Sequence, residues 1–264
     1  SGGSKGAVRK TGVYMQVNIH ASILARLDKK VKPLLQSTSA WDRIRGMKPE
    51  DIHAVITILR EEYKGWQTPA VTIVAQCNGS PFKVLISCII SLRTKDEVTA
   101  RASARIFALA QTPEEMAELS ADEISQRIYP AGFYRTKAEQ IVLLSRKLVQ
   151  EYRGTVPDDI DELLRFKGVG RKTANLVMTL GFGKPGICVD THVHRICNRF
   201  GYVSTKNPEE TEKALRSQLP PEYWIEINDL LVAFGQNHCY PVSPRCSNCR
   251  LSGMCSRIGV KVSR

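Results

Sequence analysis

Apolar residues recur three and four positions apart along most of the chain, and that spacing predicts helices nearly everywhere. Ile52, Val55, Ile56, Leu59 and Tyr63 form one such stripe. Ala138, Ile141, Leu144, Leu148 and Tyr152 form another, which Gly154 ends. Residues 81–92, PFKVLISCIISL, are apolar nearly all round, as a helix at the centre of a bundle would be. Start signals fall where the stripes need them. Thr112 to Glu115 and Ser120 to Glu123 are capping boxes, Asn207-Pro208-Glu209-Glu210 opens a further helix, and Asp96 is placed to cap EVTARASARIFALA. Trp224, Ile227, Leu231 and Phe234 share one helical face ahead of the C-terminal cysteines. No two-residue alternation is long enough to predict a strand, so the expectation is an all-α fold.

Residues 158–201 depart from plain helical packing. DDIDELLRF suits a short helix with an acidic first turn, Gly168-Val169-Gly170 forbids its continuation, and ANLVMTLGF resumes the pattern until Gly183 and Pro185. A helix, a two-glycine turn and a second helix leave backbone N–H groups unpaired at the second helix's N-terminus, where they can bind a phosphate without reading a base. Lys172 falls in the first turn of that second helix, where the dipole and Arg171 both disfavour an ammonium; a lysine with a lowered pKa is a nucleophile. Asp190 follows 18 positions later, and Val193, Ile196 and Phe200 make it the N-cap of the next helix. Plainer roles are open to both: a phosphate contact for Lys172 and a cap for Asp190.

A chain of 264 residues with 42% hydrophobic content can bury a full core, arranged as two lobes. No apolar run approaches the roughly 20 residues of a membrane span and no signal peptide is evident, so a soluble intracellular protein is expected. The net charge is +12, which points to a polyanionic partner. Residues 1–46 carry nine basic and two acidic side chains, a patch suited to non-specific attraction to nucleic acid.

Of eight cysteines, Cys77, Cys88, Cys188 and Cys197 stand in apolar or helical surroundings and are expected to be reduced and mostly buried. Cys239, Cys246, Cys249 and Cys255 are separated by six, two and five residues, and four thiolates packed so closely need a soft metal centre, zinc or an iron–sulfur cluster. Structural zinc sites usually pair two close couples, whereas only one C-x2-C couple is present, so the single loop suits a 4Fe-4S cluster better. Such a cluster implies a reducing compartment.

The FKGVGRKTAN turn, the VDTHVHR segment and the C-x6-C-x2-C-x5-C loop, in this order, resemble the endonuclease III family of helix-hairpin-helix DNA glycosylases, over about residues 47 to 256. The resemblance implies a base-excision-repair enzyme that removes oxidised or saturated pyrimidines from double-stranded DNA and then cuts the strand at the abasic site by β-elimination. It implies Lys172 as the nucleophile, Asp190 as the catalytic carboxylate and the four clustered cysteines as ligands of a 4Fe-4S cluster. Implied DNA contacts are Gly168, Gly170 and Arg171 of the turn, His192 beside Asp190, Arg93, Phe133 and Arg245. Bacterial members carry glutamine where Arg93 stands, at the gap left by an extruded base. Phe133, on the turn after Gly132, takes the place of the family's apolar wedge, which enters the base stack and bends the duplex. Arg245 and Arg250 would brace the cluster loop against phosphate.

The implied architecture is a bundle lobe of residues 74–187 and a cluster lobe assembled from residues 47–73 and 188–264, with the active site in the groove between. Residues 1–46 are a basic extension that the family does not require. The expected protein is a monomer without membrane contact. Two rivals stand beside this: a monofunctional mismatch glycosylase using water, against which Lys172 argues, and a non-catalytic DNA-binding scaffold.

Overall fold

The computed structural model describes residues 47–77 and 79–264, so the basic extension over residues 1–46 lies outside the described residues. The described residues fall in one compact unit. Among the described residues there are twelve α-helices and no strand. In chain order these are α1 (Ile52–Tyr63), α2 (Ala70–Gln76), α3 (Pro81–Ser91), α4 (Asp96–Phe107), α5 (Pro113–Glu118) and α6 (Ala121–Ile128), followed by α7 (Tyr134–Tyr152), α8 (Ile160–Leu164), α9 (Arg171–Leu176), α10 (Thr191–Phe200), α11 (Pro208–Gln218) and α12 (Ile227–Asn237). No helix among them is long and apolar enough to cross a membrane.

The capping patterns become bonds. Thr112 and Ser120 accept from the N–H groups of Glu115 and Glu123, and both capping boxes close. Asn207 caps α11 through Glu210 N. α3 is the axis of one hydrophobic core: Val84, Leu85, Ile86, Ile89 and Ile90 are completely buried, each contributing roughly 1.5–3 kcal/mol by leaving water. Around it pack Ile106, Met116, Ile124, Ile128, Ile141 and Leu148 from α4 to α7. A second core gathers Ile52, Val55, Ile56 and Leu59 of α1 with Val193, Ile196 and Phe200 of α10 and Leu230, Leu231 and Phe234 of α12. Segments distant in sequence therefore share one core, which a periodicity argument alone does not reveal. Between the two cores runs the irregular segment ahead of α10, where Ile187 and Val189 join the second core and Cys188 the first.

Four local expectations are corrected. Trp224 lies outside α12, in a turn that follows a short 3-10 segment (Pro221–Tyr223), because its indole N–H is used on Leu219 O at 2.8 Å. Asp96 is the first residue of α4, and its Oδ2 accepts from Ala70 N at 3.2 Å, so it serves the start of α2 across the bundle. Cys77 is exposed, whereas Cys88, Cys188 and Cys197 are buried as expected. The helix after the two-glycine turn also loosens from α to π geometry over Val177–Gly181.

Candidate active site

The hairpin is built from both ends. Asp159 caps α8 by accepting from Asp161 N at 2.9 Å and Glu162 N at 3.0 Å, and Val169 anchors the turn at 6% exposure. Gly168 has φ +84°, a left-handed conformation in which a side chain would be strained and would also press on Gln140. Gly170 differs: its φ is −97°, and a Cβ there would meet nothing within 4 Å. Open space therefore lies over the N-terminus of α9, and no side chain caps it, which leaves its first-turn N–H groups available.

Lys172, the second residue of α9, places Nζ 3.5 Å from Oδ2 of Asp190. The lysine side chain retains 41% exposure while that of Asp190 has 9%, so the amine is reachable and the carboxylate is set behind it. Asp190 caps α10: its Oδ1 accepts from His192 N at 2.8 Å and Val193 N at 3.0 Å. The two carboxylate oxygens thus divide their work, one fixed by backbone and the other turned to the amine.

The expectation of a lowered Lys172 pKa is overturned. Burial is the largest single influence and works against the ammonium, but Asp190, with smaller contributions from Cys188 and Cys88, brings the net shift upward and the pKa is raised. Arg171 does not offset this, since its guanidinium is bound to Glu212 through Nε at 3.1 Å and Nη2 at 2.8 Å. Cys88 and Cys188 lie close beneath Lys172; burial pushes the Cys88 thiol up to about 12 and that of Cys188 well above its usual range, so neither supplies a negative charge near neutral pH. His192 stands beside Asp190 with Nδ1 3.2 Å from Arg195 Nη2. An arginine only donates, so Nδ1 accepts and the imidazole proton sits on Nε2. Burial together with Arg195 and Lys172 lowers the His192 pKa despite Asp190, which keeps the ring neutral.

Lys172, Asp190 and His192 are thus brought together, with Gly168, Gly170 and Arg171 on the adjoining hairpin. Arg93 and Phe133 form a second group. Phe133 is 63% exposed, which excludes a core role, and the Arg93 guanidinium lies 5.5 Å from its ring centroid.

The third group is the cysteine loop. Cys239, Cys246, Cys249 and Cys255 line one pocket with Phe200 and Phe234 among its walls. Among the described residues no three His, Cys, Asp or Glu side chains form a group that could hold a metal ion. Arg199 Nη1 at 3.4 Å and Arg257 N at 3.4 Å donate to the sulfurs of Cys239 and Cys255, as thiolate ligands would require. Arg245 is exposed on this loop and lies over Tyr240. Arg250 is corrected: it bonds Glu62 at 3.2 Å and Glu61 at 2.8 Å, bracing the loop against α1 and not reaching out for phosphate.

Glu212 gave no signal in the sequence, because its spacing to Arg216 marks only an ordinary i,i+4 pair and nothing local marks its second partner, Arg171, 41 residues upstream. It is 5% exposed in its side chain and bonded to both Arg171 and Arg216, and Arg216 also reaches Asn175 Oδ1 at 3.2 Å. This network ties α9 to α11.

Residues 86–221 match the HhH-GPD superfamily of base excision DNA repair proteins. The four cysteines lie beyond the matched residues. Endonuclease III of Thermotoga maritima is 50% identical over 175 residues, which cover 66% of this chain and 82% of that one. The endonuclease III-like protein 1 of Bos taurus is 40% identical over 219 residues, covering 79% and 72%. A trapped covalent intermediate of an endonuclease III with DNA superposes at TM-score 0.70 with 32% identity, covering 80% of this chain and 97% of that one.

Proposed function

This chain belongs to the endonuclease III family within the HhH-GPD superfamily, and from that membership we propose that it is a base-excision-repair DNA glycosylase with an associated lyase activity, acting on damaged pyrimidines in double-stranded DNA. The observation that carries the lyase reading is the 3.5 Å approach of Lys172 Nζ to Asp190 Oδ2 while Oδ1 is occupied by backbone. A raised lysine pKa is no obstacle with that carboxylate adjacent. A proton passes from the ammonium to Oδ2, leaving a neutral amine and a neutral acid.

The damaged nucleotide is extruded from the stack, a step that is cheaper for a poorly stacked base. The amine lone pair of Lys172 attacks C1′, the bond from C1′ to the base breaks, and the base leaves with that electron pair and a proton. Opening of the sugar ring gives a Schiff base between Lys172 and C1′. Loss of a C2′ proton then expels the 3′ phosphate, and the C3′–O bond is the one cut. Asp190, returned to its carboxylate form, stabilises the cationic sugar. His192 offers its Nε2–H as a donor at the groove, the free N–H groups of α9 hold a phosphate through the Gly168 to Gly170 turn, and Phe133 enters the stack with Arg93 beside it. Arg171 serves as the tie to Glu212, and Arg245 supplies positive charge at the cluster loop.

The four cysteines fit a 4Fe-4S cluster, which when bound supplies iron–thiolate bonds that fix the loop over residues 239–255. The protein acts as a monomer, with DNA inside the cell. Borohydride added to the enzyme on damaged duplex is expected to give a covalent protein–DNA adduct that Lys172→Gln abolishes. An adduct that survives the substitution would remove Lys172 as the nucleophile. Purified protein should absorb at about 400 nm and contain iron; a colourless protein containing zinc would overturn the cluster.

A further inference from the structure

Lys137 has no part in the site described so far, and its surroundings are unusual. It lies in the first turn of α7 at 3% exposure, with no carboxylate among its partners. All three ammonium hydrogens are used: Nζ donates to Ile90 O at 2.7 Å, Leu92 O at 2.5 Å and Thr94 Oγ1 at 2.9 Å. These acceptors sit at the C-terminus of α3 and in the loop after it, where the negative end of the helix dipole favours a cation. Thr94 passes the connection on, because its Oγ1 also accepts from Gly132 N at 3.0 Å. The two loops touch so closely that a Cβ on Gly132 would lie 2.4 Å from Arg93 O.

Each loop carries one non-glycine residue in the left-handed region, Arg93 at φ 51° and Phe133 at φ 57°. Such a conformation costs roughly 1–2 kcal/mol per residue and persists only where its surroundings impose it. The Lys137 network adjoins both residues, and the Lys137 backbone N–H donates to Phe133 O at 3.0 Å at the start of α7. A buried cation that meets only neutral acceptors is a poor way to gain stability compared with an apolar side chain, which directs attention to what it holds in place.

We propose that Lys137 is a positioning residue that welds the loop of Arg93 to the loop of Phe133, so that guanidinium and aromatic ring enter the duplex as one rigid unit. This rests on the reading of Phe133 as the wedge, and the two ideas fail in different ways.

The test measures, for wild type, Lys137→Met, Lys137→Arg, Thr94→Val and Phe133→Ala, the fluorescence rise of a 2-aminopurine placed beside a lesion on binding. It also measures the ratio of borohydride trapping rates on duplex and single-stranded abasic DNA, since a single strand has no stack to enter. In Lys137→Met the rise should be lost and the ratio fall on the order of tenfold, as for a lost charge-assisted bond, with partial recovery in Lys137→Arg. Thr94→Val, which removes the hydroxyl shared by Lys137 Nζ and Gly132 N but leaves the two carbonyl partners of Lys137, should move both readouts the same way by a smaller amount. It decides the matter should Lys137→Met fail to fold. Wild-type fluorescence and ratio in a folded Lys137→Met, or in Thr94→Val, would overturn the proposal. If Phe133→Ala itself leaves both readouts unchanged, the wedge reading falls and the positioning role falls with it.

Discussion

Two lysines under cover in this molecule have opposite fates. Lys172 on α9 faces the Asp190 carboxylate and its pKa is raised; Lys137 on α7 faces two carbonyls and a hydroxyl, and burial pushes its pKa down to about 8. Burial works against the ammonium in both, so burial by itself does not decide the direction. The difference is that Lys172 faces a carboxylate, the largest of the influences that raise its pKa, whereas Lys137 faces none. On the proposed mechanism Lys172 is stored as an ammonium beside its own proton acceptor, while Lys137 has no carboxylate to exchange with.

Removing the stored amine should have the largest effect. Lys172→Gln is expected to lower lyase turnover on the order of 10⁴-fold or more, measured in single-turnover strand cleavage, whereas Lys137→Met should leave detectable cleavage. Equal losses in the two would erase the distinction between a reacting and a positioning lysine.

Asp190→Asn should cost on the order of 10²–10³-fold in turnover, since a group aimed at developing charge is lost. It should also drop the Lys172 pKa toward the behaviour of Lys137, as followed by NMR of labelled lysine side chains. A Lys172 that keeps its raised pKa in that variant would show that Asp190 is not the cause.

Glu212→Ala leaves Arg171 and Arg216 without their shared acceptor. A destabilisation of about 1–3 kcal/mol in denaturant unfolding is expected, with a fall in turnover because α9 is no longer tied to α11. Unchanged turnover would mean that the connection through Ile187–Val189 holds Lys172 and Asp190 together unaided.

The smallest effect concerns pH. Lys137 has a folded pKa below its unfolded one, so between about 8 and 10.4 the unfolded chain binds more protons than the folded one, and stability from this residue rises with pH across that window. Lys172, with its pKa raised, contributes the opposite slope: its stabilisation is full below the unfolded value and lost as pH climbs through the folded one. Unfolding curves of wild type and Lys137→Met over that range should therefore diverge, the wild type gaining relative to the variant.

The helices were legible because their signals are local. Capping boxes at Thr112 and Ser120, and the stripe of α7, depend on neighbours within one or two turns. Trp224 misled because its spacing suits a helix while the bond from its ring to Leu219 O pulls it out of one. The turn at Gly168 and the cap at Asp190 were equally local, so the hairpin and the start of α10 could be placed from residue types alone. Arg171 and Arg250 misled for the converse reason. An arginine near a suspected phosphate site looks free in sequence, and only the folded chain shows Glu212, Glu61 and Glu62 arriving to occupy them.

What the sequence determined by itself is most of the helices, the capping signals that start them and which residues are candidates for chemistry, because periodicity, capping and cysteine spacing act over a few positions. What tertiary structure alone decided is the charge state of that chemistry and who holds it in place. Asp190 raises Lys172 from 18 positions away, Glu212 holds Arg171 from 41, and Ile90 with Leu92 binds Lys137 from 47 and 45. Electrostatic and hydrogen-bond energies fall off over a few ångströms in space, and separation along the chain carries almost no information about that distance until the cores have packed.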